Sequence, residues 1–106
     1  INNLLQFGPF QLDPVEKTLS RDGQQIPITP KSFDLLMFLV MRPGKLVSRE
    51  EILAGVWPET AVEEGNLSVH VSNLRRLLGE HPSEPTYIET VSRRGYRFIA
   101  TVKEAE

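Results

Sequence analysis

The chain has 106 residues and a formal net charge of −2, with 40% hydrophobic and 25% charged residues. That length and balance suit one domain around one core and exclude a disordered tail. No apolar run approaches the roughly 18 residues that a membrane span needs, and the lack of cysteine excludes disulfides and thiolate metal sites.

Residues 1–28 read as short strands joined by turns. LLQF is followed by Gly8-Pro9, FQL by Asp13-Pro14, and KTLSR by Asp22-Gly23 before QQIPI. Asp-Gly between alternating runs signals a two-residue hairpin. The expectation is an antiparallel sheet of three to four short strands, with Pro27 at an edge. A helix then starts at Thr29-Pro30, with threonine as cap and proline at the first helical position. Its stretch SFDLLMFLVM is apolar nearly all round, which predicts a central place in the core, and Arg42-Pro43-Gly44 stops it.

A second helix starts at SREEILAGVW, where Ser48 and Glu51 have capping-box spacing. Ile52, Leu53, Val56 and Trp57 form its inner face, and Pro58 ends it. After the acidic connector PETAVEEG comes NLSVHVSNLRRLLGE, a third helix. Leu67, Val71, Leu74 and Leu78 fall on one stripe of it, while Ser68, Val69, Ser72, Asn73 and Arg76 fall opposite. Gly79 is its expected stop. The last runs, TYIETV and YRFIATV, are rich in β-branched and aromatic residues and read as two strands joined by SRRG.

Charge is unevenly spread. Residues 1–65 carry a balance of −3, whereas residues 66–103 carry +3 through Arg75, Arg76, Arg93, Arg94, Arg97 and Lys103 against Glu80, Glu84 and Glu89. A basic face on an acidic domain is what a phosphate backbone can meet. Catalysis has no comparable support. His70 lacks a histidine, cysteine or carboxylate at i+3 or i+4, and His81 stands beside proline in a loop. Glu50-Glu51 and Glu63-Glu64 lie at helix starts, where the helix dipole favours carboxylates. No enzyme activity, cofactor or metal is expected.

The outer face of the third helix fits two readings. Short donors and acceptors with cations at the margins suit a major groove, and an outward valine can meet a thymine methyl. Polar outer faces also occur on any helix that only packs. The connector likewise reads as a solvated loop or as a protein-contact loop.

The order sheet, helix, helix, connector, helix, hairpin is that of a helix-turn-helix followed by a wing. On FGPFQLDP, ITPKSFDLLMFLV, GKLVSREEIL with VW, LSVHVSNLRRLLGE and YIETVSRRGYRF, the sequence resembles the C-terminal DNA-binding domain of OmpR/PhoB-type response regulators. It resembles still more the membrane-linked regulators similar to CadC and ToxR. The resemblance runs from about Leu5 to Val102. It implies an α+β winged helix-turn-helix domain, with an N-terminal antiparallel sheet, three helices and a C-terminal hairpin wing. Residues 1–106 would be that single domain, cut from a longer bacterial cytoplasmic regulator whose full length could carry a membrane anchor.

The resemblance implies duplex DNA as partner, with the third helix in the major groove and the wing in an adjacent minor groove. Asn66, Ser68, Val69, Ser72 and Asn73 would read bases or touch nearby phosphates. His70, Arg75 and Arg76 would hold the backbone, with Thr90 and Ser92 at phosphates and Arg93 and Arg94 on the wing, while Tyr96 is divided between core packing and a hydroxyl contact to phosphate. The segment Pro58–Gly65, with Glu59, Glu63 and Glu64, matches a loop through which some members contact RNA polymerase. Well-studied members often carry arginines where Gly65, Ser72 and Asn73 stand here, which favours binding as a dimer or in tandem. No membrane contact is expected of this segment. The rival reading is a winged-helix module for protein contact, motivated by the net charge and the glutamate connector.

Overall fold

The computed structural model describes residues 4–58, 64–80 and 85–105. The N-terminal strands alternate inward apolar and outward polar residues. They are β1 (Leu4–Phe7), β2 (Phe10–Asp13), β3 (Thr18–Arg21) and β4 (Gln24–Ile26). Leu5, Phe7, Phe10, Leu12 and Leu19 are the buried members. The β3–β4 hairpin closes on Asp22 and Gly23, with φ of 50° and 84°. Positive φ at both turn residues matches the right-handed strand twist.

Helix α1 (Pro30–Val40) begins as its sequence predicts, with Thr29 Oγ1 accepting from the Ser32 N–H at 3.3 Å. It buries Phe33, Leu35, Leu36, Leu39 and Val40. Each such side chain contributes about 1.5–3 kcal/mol when taken from water. Strand β5 (Leu46–Ser48) leads into α2 (Arg49–Val56). The capping box is present: Ser48 Oγ accepts from the Glu51 N–H at 3.1 Å, and the Ser48 N–H donates to Glu51 Oε1 at 3.2 Å. Helices α1 and α2 approach closely at Gly55, where an added Cβ would lie 2.2 Å from a Phe38 ring carbon. Lys31 Nζ ties the start of α1 to the Val56 carbonyl at 2.8 Å. Helix α3 (Glu64–Leu77) follows, then β6 (Ile88–Val91), β7 (Gly95–Phe98) and β8 (Lys103–Ala105).

The strands form two antiparallel sheets, ordered β4-β3-β2-β1-β8 and β5-β7-β6. Two features differ from the sequence expectation. The run YRFIATV is not one strand: β7 ends at Phe98, and the chain crosses back so that β8 pairs with β1. The N-terminal sheet therefore has five strands among the described residues. The expected hairpin also gains a third strand, because Val47 of β5 pairs with Tyr96 of β7. Both sheets share one core. The Phe7 and Phe98 rings meet edge to face at 5.1 Å, and Phe7 also meets Phe10 and Tyr87.

Candidate nucleic-acid interface

Helix α3 is held by the predicted stripe. Leu67, Val71, Leu74 and Leu78 are buried, so the opposite face is fixed outward. Asn66, Ser68, Ser72, Asn73 and Arg76 are exposed, and Val69 is 56% exposed. His70 is half-buried, its ring 4.8 Å from that of Trp57 at the end of α2. That contact fixes the α3 flank against α2. On the same flank α3 borders an open groove of about 650 Å³, lined by His70, Asn73, Arg76 and Leu77 together with Pro27, Ile28, Thr29 and Ser32.

The helix ends as Gly79 predicts. The Gly79 N–H donates to the Arg76 carbonyl and the Glu80 N–H to the Arg75 carbonyl, at 3.1 and 2.9 Å. These two bonds make a Schellman closure, which turns Glu80 back toward the hairpin.

The hairpin of β6 and β7 turns at Ser92, Arg93 and Arg94, all exposed. The Arg94 N–H donates to the Val91 carbonyl at 3.0 Å, and Arg93 takes a φ of 65°. Arginine in this left-handed region costs about 1–2 kcal/mol relative to glycine. Gly95 has a different constraint: an added Cβ would lie 2.0 Å from the Val47 carbonyl oxygen. Across the strands, Arg97 Nη1 pairs with Glu89 Oε1 at 3.1 Å. Both side chains are more than a third exposed, so the pair contributes little.

Asn66, Ser68, Val69, Ser72, Asn73 and Arg76 share the outer face of α3, and Ser92, Arg93 and Arg94 share the wing tip. One expectation is corrected, and the open choice at Tyr96 falls to core packing. Arg75 does not stand free as a backbone clamp: its side chain is 13% exposed and its Nη2 donates to the Ile88 carbonyl at 2.9 Å and to Thr90 Oγ1 at 2.6 Å. Its Nε lies 3.5 Å from Glu80 Oε2, an ion pair without hydrogen-bond alignment. Tyr96 is only 3% exposed and belongs to the core, because it faces inward from the middle of the wing sheet. Thr90 is exposed, yet its hydroxyl already accepts from Arg75. Glu59 and Glu63 lie outside the described residues, as does the side chain of Glu64.

Glu80 is the residue that sequence reasoning missed. Its side chain is fully buried, and its Oε1 accepts from the N–H groups of Thr86, Tyr87 and Ile88. Its partners are backbone amides, which leave no mark in sequence beyond an acid just after the helix-stop glycine. Among the described residues there is no cluster of His, Asp or Glu able to hold a metal ion, and no helix long and apolar enough to cross a membrane.

Comparison with known proteins decides the kinship. The family described as "Transcriptional regulatory protein, C terminal" matches residues 23–98. The chain belongs to this family. It is similar to the transcriptional regulatory protein KdpE of Mycobacterium tuberculosis, 38% identical over 98 residues, covering 92% of this chain and 43% of that protein. The chain thus spans less than half the length of that relative. Its structure is similar to the DNA-binding domain of Escherichia coli CadC, with TM-score 0.82, 29% identity and 95% of each chain covered. It is also similar to the Klebsiella pneumoniae RstA DNA-binding domain, solved in complex with the RstA box, with TM-score 0.81, 26% identity, and 91% of this chain and 96% of that chain covered. The architecture is the winged helix of these family members: three helices, an N-terminal antiparallel sheet and a hairpin wing.

Proposed function

We propose that this domain binds duplex DNA sequence-specifically, as the DNA-contacting part of a transcriptional regulator. Helix α3 enters the major groove, where Asn66, Ser68, Val69, Ser72 and Asn73 read base edges. The wing enters the adjacent minor groove through Arg93 and Arg94. Arg76 and Ser92 hold phosphates, which position the protein without specifying sequence. The observation that carries this reading is the joint exposure of a short-polar α3 face and a doubly cationic wing tip, each held outward by buried residues of its own element. The similarity to RstA, solved with its DNA box, supports it.

The test is selection from a random duplex library at two salt concentrations. A recovered sequence supports base readout, and a recovered direct or inverted repeat supports binding as a dimer or in tandem. Recovery of no enriched sequence at either salt overturns the proposal. Contact with RNA polymerase through the segment that includes Glu59, Glu63 and Glu64 is a further part of the reading, for the whole regulator. The net charge of −2 favours a rival, in which the domain serves protein contact. Retained capture of a polymerase subunit, with no duplex binding even at low salt, would support that rival.

A further inference from the structure

Helix α3 and the wing must meet one duplex at the same time, so the angle between them is a property the fold has to fix. Among the described residues, a set of side-chain bonds ties α3 to β6. Glu80, at the closure of α3, gathers the N–H groups of Thr86, Tyr87 and Ile88, where the chain enters β6. Arg75, on the last turns of α3, donates to the Ile88 carbonyl and to Thr90 Oγ1. The carboxylate and the guanidinium lie against each other, with side chains 0% and 13% exposed. Hydrogen bonds to charged groups are stronger and more directional than neutral ones. A buried charge stripped of its partner cannot simply be left in place.

We infer that Arg75 and Glu80 are positioning residues that set the angle of the wing to α3, so that both engage one duplex together. This rests on the DNA-binding reading above and deepens it. Neither side chain touches the nucleic acid in this scheme. They act through β6, which leads from Ile88 to Val91 into the turn at Ser92 and Arg93. Glutamine in place of Glu80 keeps the shape but must turn an amide NH₂ either toward the Arg75 guanidinium or toward the three N–H groups. Both choices set donor against donor.

Two measurements test this. On the free protein, residual dipolar couplings report the orientation of the β6–β7 amides relative to α3. Glu80→Gln is expected to change or blur that orientation while the couplings within α3 stay those of the wild type. On the duplex recovered by selection, Arg94→Ala is expected to cost about tenfold in affinity in the wild-type background, as loss of one charged hydrogen bond does. In the Glu80→Gln background it is expected to cost less than about twofold, because the wing is already out of place. A purely structural role would lower thermal stability yet leave the Arg94→Ala ratio unchanged.

Unchanged wing orientation overturns the inference, and so does an equal Arg94→Ala cost in both backgrounds. If Glu80→Gln fails to fold, Arg75→Lys is measured instead. It keeps a cation beside Glu80 but loses the forked bonds to Ile88 and Thr90. If the wild type binds no duplex, the DNA reading falls, while the orientation measurement still decides the positioning claim.

Discussion

Replacing Gly95 by alanine tests how the wing is anchored to the body of the domain. The added Cβ would lie 2.0 Å from the Val47 carbonyl oxygen, whereas ordinary contact begins near 3.4 Å. Strand β5 would have to retreat by more than an ångström, and Val47 is only 2% exposed, so the core would move with it. Backbone strain at the φ of 151° adds to the overlap. Strain of this kind costs about 1–3 kcal/mol, and overpacking a further ~1–3 kcal/mol. Gly23→Ala is the control. Its φ is also positive, at 84°, but nothing lies within 4 Å of the added Cβ. Each kcal/mol moves the melting temperature of a domain this size by about 4–8 °C. Gly23→Ala, with strain alone, should therefore lower it by roughly 4–24 °C, and Gly95→Ala, with strain and overlap together, by roughly 8–48 °C. Thermal unfolding followed by circular dichroism reads both. A Gly95→Ala loss no larger than that of Gly23→Ala would refute the close-approach reasoning.

Other outcomes follow from named contacts. Arg93→Asn should weaken binding to all duplexes without lowering stability, because asparagine tolerates the left-handed backbone and only the charge is lost; parallel titrations on specific and random DNA check it. Ser72→Ala and Asn73→Ala should reduce the preference for the selected sequence by about 1–3 kcal/mol while leaving non-specific affinity nearly constant. Equal losses on specific and random duplexes would count against base readout at these positions. Ser48→Ala breaks the capping box and should cost about 1 kcal/mol in urea unfolding.

Much of this fold is legible because local signals agree with one another. The Thr29 and Ser48 caps, the Asp22-Gly23 turn and the α3 stripe each have a short-range cause, and each stands where its residues predict. Strand β8 was not legible. Lys103–Ala105 carries little strand propensity and is a strand because β1 offers it an open edge. Strand β5 is three residues long and owes its form to β7 beside it. The outer face of α3 could be read from periodicity, but the inward turn of Arg75 could not. An arginine near a helix C-terminus reads as a dipole-favoured surface cation. Only the fold brings the Ile88 carbonyl, Thr90 and buried Glu80 within its reach.

The most direct measurement of the central claim is the salt dependence of binding to the selected duplex and to a scrambled one. The wild type should prefer the selected duplex by about 10³-fold or more. Its log affinity should fall linearly with log salt, by about 0.9 for each phosphate contact. Arg94→Ala should flatten that slope by about 0.9, so its deficit should shrink some three- to fourfold between about 50 and 200 mM salt. Equal affinity for both duplexes, with a slope that Arg94→Ala leaves unchanged, would contradict the account.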